Sequence, residues 1–550
     1  MRGIWRKWSA IALAGALLVA AGCSENTKST DGKSADKNAQ TDIVSAAGQF
    51  PLTSEKVTLN VMVEGVASVQ DYSTNNFTKW LEDKTNVHIN WQVVPSDPQQ
   101  AAQKLNLVLA GGDYPDVIMN FNITPTTQLI WGSQGVFLPL NDLIDKYGDE
   151  TKKMFKDEPS IKSAVTAIDG KIYGLPYVNI NFHEHAKNKM WLYQPWLDKL
   201  KIKPPTTTDE FEQMLLAFKT KDPNGNGKAD EIALAGSPQG APLGTYLLNS
   251  FVYYNAANED GQYLYVDNGQ IKASFADAGY KDGMKYLHKL FAEGLIYPQS
   301  FTQDKDQLKR LGENPDAEIL GAVPAFTQSF VQNGSEHFKG FTTLPPLKGP
   351  SGLRQTPWDE YLFSQGQYVI TKASKHPDVA FRLADLLYNE EVTMTAKFGT
   401  KDKGWSAAKP GELGLDGKQG IWTRNADWGK GVQNDFWGQT GPSYQSEINR
   451  NGLAGNALAT GLYKETKKNY EPYKAAKNVP PLFFSDQQSK QLADMKNSII
   501  TYVDEMKLRF ITGDADIDKS WNDYLKTLDS LQLKAYLQLF QTTYDKTYKK

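Results

Sequence analysis

Between residues 57 and 120 the hydrophobic period changes repeatedly between two and about three and a half, and few folds are open to a chain that alternates in this way. Val57, Leu59, Val61 and Val63 lie two apart, as on one face of a strand. Phe77, Trp80 and Leu81 share a helical face, and Val87, Ile89, Trp91 and Val93 return to the period of two. A second helical run ends at Gly111-Gly112, after which Pro115-Asp-Val-Ile-Met-Asn120 reads as a third strand. Strands that alternate with helices build parallel, doubly wound sheets with helices on the faces, so the expected class is α/β. In such sheets ligands sit beyond the carboxyl ends of the strands. Glu64, the Asp71 to Asn76 loop and Asn120-Phe121 are therefore expected at the edge of a site.

With 550 residues the chain can bury several cores, and two lobes are the natural division. A net charge of −3 leaves no electrostatic case for a nucleic acid or an anionic membrane surface as partner. The N-terminus carries its own address. Arg2, Arg6 and Lys7 precede an apolar run, Ile11 to Ala21, that is too short for an ordinary span, and Ala-Ala-Gly-Cys23 closes it. This pattern reads as a lipoprotein signal peptide over 1–22 with lipidation at Cys23. Ala20 stands where the lipidation pattern usually has Leu, and ordinary signal-peptidase cleavage is the competing reading. Cys23 is the only cysteine, which excludes an intramolecular disulfide framework. Residues Ser24 to Gln49 have almost no large apolar side chains and cannot order themselves by burial. They read as part of a disordered tether that with the lipidated cysteine spans 23–52, so the body is expected on the extracellular face of the cell membrane, held by lipid.

A second signal lies at Asp222-Pro-Asn-Gly-Asn-Gly-Lys-Ala-Asp-Glu231, which puts oxygens at alternate positions of a glycine-rich turn. Calcium takes six to eight oxygen ligands, and an EF-hand loop supplies them from positions 1, 3, 5, 7 and 9 with glycine at 6. Here these are Asp222, Asn224, Asn226, the Lys228 carbonyl and Asp230, with Gly227 at the sixth. Position 12 is Ala233 in place of the bidentate Glu, and the acid arrives early as Glu231. The expectation is a calcium loop that is not an EF-hand switch. An Asx-rich turn that binds nothing is the alternative, because Asp, Asn and Gly dominate turns for local reasons.

The surroundings of that loop resemble a known family. Trp196-Leu-Asp-Lys-Leu200, Pro204-Pro-Thr-Thr-Thr-Asp-Glu-Phe211 and the Asp222 loop are similar to a segment of the bacterial extracellular solute-binding proteins, the lipoprotein receptors of carbohydrate ABC importers. Leu105 to Ile118, Gly170-Lys-Ile-Tyr-Gly-Leu-Pro-Tyr177 and the tail from Met506 to Leu525 are similar to further segments of it, so the resemblance covers nearly the whole chain. It implies a two-lobe, periplasmic-binding-protein-like α/β fold with a ligand cleft between the lobes, an oligosaccharide ligand, an ABC permease as partner and a monomer. The alginate-oligosaccharide-binding branch implies a structural calcium ion away from the cleft. On this reading the first lobe comprises 53–176 and 325–371, and the second 177–324 and 372–550.

From Trp405 to Tyr444 the chain becomes rich in Gly, Asn, Gln and aromatic rings, with little period of either kind. Sugars stack their C–H faces on flat rings while amides and acids meet the hydroxyls, and Arg424, Asp427, Asn434 and Asp435 stand in this stretch. A satellite core is the default for any single Trp, since Trp is highly buried on average. Thr356-Pro-Trp358-Asp-Glu-Tyr361 is expected on the first lobe's side of the cleft, and at least one of Trp358, Trp405, Trp428 and Trp437 is expected to line it. Trp358 and Trp437 come first as ligand residues, then Tyr177 and Glu64, with Trp405, Trp428 and Asn179 behind them. Two other classes remain open, a secreted glycan hydrolase or lyase and a peptide-binding surface lipoprotein. No G-x-S-x-G, H-E-x-x-H or G-x-x-x-x-G-K-[ST] motif supports an enzyme. His183 and His185 could belong to a zinc site, although spacing identifies no further ligand.

Overall fold

The computed structural model describes residues 43–256, 263–425 and 431–549. Cys23, the tether up to residue 42, Asp427 and Trp428 lie outside the described residues, while 43–52, also expected in the tether, is folded on the first lobe, because Val44 and Leu52 supply apolar side chains that bury in its core. Two sheets organise the body. In chain order their strands are β1 (Val57–Glu64), β2 (Val87–Val94), β3 (Val117–Met119), β4 (Leu175–Asn179), β5 (Met190–Tyr193), β6 (Ile232–Leu234), β7 (Leu320–Pro324), β8 (Phe341–Leu344), β9 (Phe363–Ile370) and β10 (Ser443–Gln445).

The first sheet has the order β10-β4-β9-β3-β1-β2 and the second β8-β5-β7-β6. Strand β3 is buried along its whole length, as a strand covered on both faces must be. The helices between the first strands begin and end where local chemistry dictates. Asn75 caps helix Asn76–Thr85 through Phe77 N–H at 3.0 Å, and Asn86 closes it in the left-handed region at φ 62°. Asp97 and Pro98 open helix Pro98–Gly111, and Gly112 ends it at φ 81°. In the second lobe Thr207 and Glu210 form a capping box on helix Thr208–Thr220.

The first sheet is not wholly parallel. Strand β9 runs antiparallel to both β3 and β4, between which it is inserted. The chain re-enters this lobe from the other one, and so starts β9 at the edge where its neighbours finish.

Lobe membership also differs from the expected boundaries. Phe341–Leu344 pairs with Met190–Tyr193 of the second sheet, so the first lobe resumes only with β9. Val379, Phe381, Leu387, Val392, Trp437 and Tyr444 pack with Leu59, Val61, Phe77 and Tyr368, so these residues belong to the first-lobe core although their segment was expected in the second lobe. An apolar helical stripe shows that helix Pro377–Leu387 is covered, but not by which sheet. Tyr470, Ile499, Phe510, Tyr524 and Tyr536 join Trp196, Phe218 and Met284 in the core of the second lobe.

Candidate functional site

Strands β1, β2, β3, β4 and β10 run parallel, so their carboxyl ends share one edge of the first sheet, and β9 begins there. Strand β5 begins, and β6 and β7 end, at one edge of the second sheet. A cavity of about 590 Å³ joins these two edges, with Asn122, Phe363 and Gln365 on the first-lobe side and Lys187, Asn255 and Asn478 across from them. Lys187 also borders a second cavity of about 630 Å³ that continues along the second lobe past Tyr254, Phe326, Asp504 and Lys507.

The first-lobe wall is held in a sparsely populated backbone conformation. Asn120 and Asn122 have φ of 71° and 48°, a region asparagine tolerates better than other side chains. Asn120 Nδ2 donates to the Glu64 carbonyl at 2.9 Å, and the Asn122 side chain accepts from Gln367 Nε2. Gly366, at φ 56°, lies so close to the Ile123 carbonyl that a side chain there would collide with it. Gln365 spends its amide N–H on the Ala164 carbonyl at 3.2 Å, while its Oε1 is buried without a partner. An acceptor left in that state at a cavity wall suits a hydroxyl donor.

Asp359 and Tyr361 stand where the chain returns to the first lobe. Lys187 Nζ meets Asp359 Oδ2 at 3.0 Å, and Tyr361 N–H donates to Asp359 Oδ1 at 3.0 Å. Asp359 N–H donates to the His185 carbonyl at 2.8 Å, and the His185 ring lies flat on Trp358 at 4.9 Å and 6°. The rings of Tyr361 and Phe363 sit edge to face at 6.4 Å. On the opposite side Asn478 Oδ1 accepts from Tyr253 Oη at 2.6 Å and Asn255 Nδ2 at 2.8 Å, which leaves the Asn478 amide as a donor. Lys507 Nζ pairs with Asp504 Oδ1 at 2.6 Å, and Tyr263 Oη donates to the same oxygen at 3.1 Å.

The crossing at 182–189 carries two groups whose protonation burial disfavours. His183 stacks on Phe326 at 5.6 Å, and desolvation, followed by the charges of Lys189 and Arg450, lowers its pKa to about 3. Lys189 is fully buried against the His183 and Ala186 carbonyls, and burial lowers its pKa to about 7. His185 Nδ1 bonds to the Asp359 carbonyl. His183 and His185 are engaged with Phe326 and Trp358, and among the described residues no three His, Cys, Asp or Glu side chains gather as a metal cluster by themselves, so a cation in the 222–231 loop would need the Asn224 and Asn226 side chains and the Lys228 carbonyl as well.

The expected ligand residues are spread over several environments. Trp437 is 1% exposed inside the first-lobe core, with Phe77 and Trp91 edge-on at 4.8 and 5.3 Å, so it is a packing ring and not a cleft wall. Trp358 is 7% exposed in the second-lobe core, and its segment reaches the cleft through Asp359 and Tyr361 instead. Trp405 packs in a satellite cluster with Phe398 and Trp422, beside a separate cavity of about 360 Å³. Tyr177 and Asn179 lie on β4 beside the buried Lys397, whose Nζ donates to Asn179 Oδ1 at 3.2 Å and sits 5.1 Å from the Tyr177 ring. Burial holds the Lys397 pKa well below the usual lysine range. Glu64 ends β1, and burial, then Asp97, raises its pKa. Asn434 and Asp435 are bound to the 71–76 loop through Asp71 N–H, Thr74 and Asn76. Sequence reasoning missed Lys187, Asn122, Gln365, Asn255 and Asn478. Only the expectation at Asn120-Phe121 pointed near one of them.

The Asp222 loop is folded on its own side chains. Asp222 Oδ1 and Oδ2 accept from Gly225 and Gly227 N–H at 2.9 and 3.2 Å, and Asn224 and Asn226 donate to Asp230 at 2.9 to 3.2 Å. Glu231 Oε1 is buried with no hydrogen-bond partner, and burial, with Asp222 and Asp230 adding to it, raises its pKa.

Residues 67–394 match the family model for bacterial extracellular solute-binding proteins. The fructooligosaccharide ABC transporter substrate-binding protein FusA of Streptococcus pneumoniae serotype 4 is 28% identical over 562 residues, covering 98% of this chain and 97% of FusA. Solved structures of FusA with kestose, and of a FusA EF-hand mutant with fructo-nystose, superpose at a TM-score of 0.71 with 26% identity, over 89% of this chain and 99% of theirs. An HMO-binding solute-binding protein from Bifidobacterium longum infantis shares the fold at a TM-score of 0.76 and 24% identity, over 90% of this chain and 100% of its own. Two α/β lobes with a cavity between their facing sheet edges, together with a family match over more than half the chain, place it: the protein belongs to the bacterial extracellular solute-binding proteins.

Proposed function

We propose that this protein captures an oligosaccharide between its two lobes and delivers it to an ABC transporter permease, without turning it over. The observation that carries this reading is the interlobe cavity, where the rings of Tyr361 and Phe363 stand beside the unpartnered Gln365 Oε1, the Asn478 amide and the Lys187–Asp359 pair. Rings meet the apolar faces of a sugar, and amides and carboxylates meet its hydroxyls. The two adjoining cavities, about 590 and 630 Å³, each fall in the range of roughly 300–1,000 Å³ that encloses a small ligand, so together they suit several sugar units. A ligand that touches both lobes binds the closed arrangement better and shifts the population towards it, which is a signal a permease can read.

The same reading has a lipid at Cys23 holding the body to the outer face of the membrane and a structural calcium ion in the 222–231 loop. Asp222, Asn224, Asn226, the Lys228 carbonyl, Asp230 and Glu231 would hold that ion. The buried, unpartnered Glu231 Oε1 beside two further carboxylates supports the fit. No helix among the described residues is long and apolar enough to cross a membrane. Calorimetry against a panel of oligosaccharides, with product analysis of the same mixtures, tests the function. Binding on the order of micromolar, about −8 kcal/mol, with intact sugar is the expected result. Cleaved sugar would favour a hydrolase or lyase, and binding of peptides alone a peptide receptor.

A further inference from the structure

Among the described residues, every cation on the wall of the two cleft cavities already has a carboxylate. Among the described lining residues the positively charged side chains are Lys187 and Lys507. Lys187 Nζ lies 3.0 Å from Asp359 Oδ2, and Lys507 Nζ lies 2.6 Å from Asp504 Oδ1. Both carboxylates are anchored from a second direction, Asp359 by Tyr361 N–H at 3.0 Å and Asp504 by Tyr263 Oη at 3.1 Å. Neither pair can swing away from the wall without leaving those donors behind. The remaining polar lining consists of amides and hydroxyls, among them Asn122, Gln365, Asn478, Ser237 and Thr245.

We propose that the cleft selects uncharged oligosaccharides over acidic ones, and that the pairs Lys187–Asp359 and Lys507–Asp504 set this choice. The proposal rests on the solute-binding reading above. A sugar carboxylate entering the cleft loses its hydration and finds only lysines whose charge a neighbouring carboxylate already offsets, so no net attraction repays that loss. It also meets Asp359 and Asp504 as like charges at short range. A hydroxyl-bearing ring has no such conflict. The carboxylates still have lone pairs to accept from hydroxyls, and the ammonium groups still have N–H donors, while both pairs stay intact.

The test is calorimetry on the full-length protein with two matched series of tri- to pentasaccharides, neutral fructo-, gluco- and manno-oligosaccharides against oligogalacturonates. The wild type is expected to bind at least one neutral series and to bind oligogalacturonates roughly tenfold more weakly or not at all. Asp359→Asn keeps an oxygen for the Tyr361 N–H, removes the negative charge and frees Lys187. It should narrow the neutral-to-acidic ratio by roughly tenfold, and Asp504→Asn should act in the same direction from the second cavity. Melting temperature checks that each variant is folded, and the two are independent should one fail. Oligogalacturonate binding as tight as neutral binding in the wild type overturns the proposal, as does an unchanged ratio in both folded variants. Silence towards both series overturns the oligosaccharide-capture reading on which the proposal rests, and is told apart because no sugar then binds.

Discussion

Trp437 and Tyr361 are both aromatic residues outside helices and strands, and the structure gives them opposite tasks. The Trp437 ring is enclosed by Phe77 and Trp91, and its Nε1 donates to Thr78 Oγ1 at 2.8 Å. Trp437→Ala should cost about 3–5 kcal/mol of stability in denaturant titration, as truncating a buried aromatic does, and leave the sugar affinity of the folded fraction nearly unchanged. Tyr361 lines the interlobe cavity, so Tyr361→Ala should weaken binding by about 1 kcal/mol or more in calorimetry with a smaller loss of stability. The opposite pattern would move the site to Trp437. A second residue-scale outcome concerns acid. His183 has a folded pKa of about 3 against 6.5 when unperturbed, so between these values the unfolded chain binds more protons. Its contribution to stability is full above pH 6.5 and is lost as pH falls through that window. Melting temperature should therefore decline more steeply from pH 7 to 4 in the wild type than in His183→Gln, and superimposable slopes would refute the assignment.

At the scale of elements, the 222–231 loop packs its donors on a single turn, between helix Thr208–Thr220 and β6. Two of its glycines sit at positive φ, Gly225 at 77° and Gly227 at 73°, which lets the backbone fold round a centre. If calcium occupies that centre, it stabilises the folded state by mass action. A chelator should lower the melting temperature, and Asp222→Ala with Asp230→Ala should abolish that sensitivity. A chelator response that survives the double substitution places the metal elsewhere. Helices Pro377–Leu387 and Glu390–Phe398 teach a different lesson about elements. The Pro377 start and apolar residues of the first and the Asn389 cap of the second are local features, and they would be the same on either sheet. Their assignment to the first lobe comes from Phe381 and Val392 meeting Leu59 and Tyr368.

For the whole molecule, what matters is that the described body has no membrane-spanning helix and that the sites lie between lobes. A receptor of this kind serves a permease only if it stays near the membrane. Cys23→Ala should release the protein from the membrane fraction or leave it as uncleaved precursor, read by fractionation and lipid labelling. A variant still processed and lipid-modified like the parent would show that Cys23 is not the anchor.

The residues alone determined the α/β class, the strand-helix alternation of the first three strands, the helix end at Gly111-Gly112 and the turn-forming pattern of the Asp222 loop. Each of these is set by neighbours within a few positions, through period, turn geometry or a side chain meeting its own backbone. The family resemblance added the two lobes and the cleft between them. Beyond the segment from Thr356 to Tyr361, which residues line that cleft was decided only by the tertiary structure. Lys187, Asp359, Asn478 and Gln365 come from four distant stretches of the chain and meet because two sheet edges face each other. Ring type could not separate Trp437 from Tyr361, because burial is a property of the whole packing and not of the residue. The antiparallel insertion of β9 was hidden for the same reason, since strand direction depends on the lobe from which the chain returns.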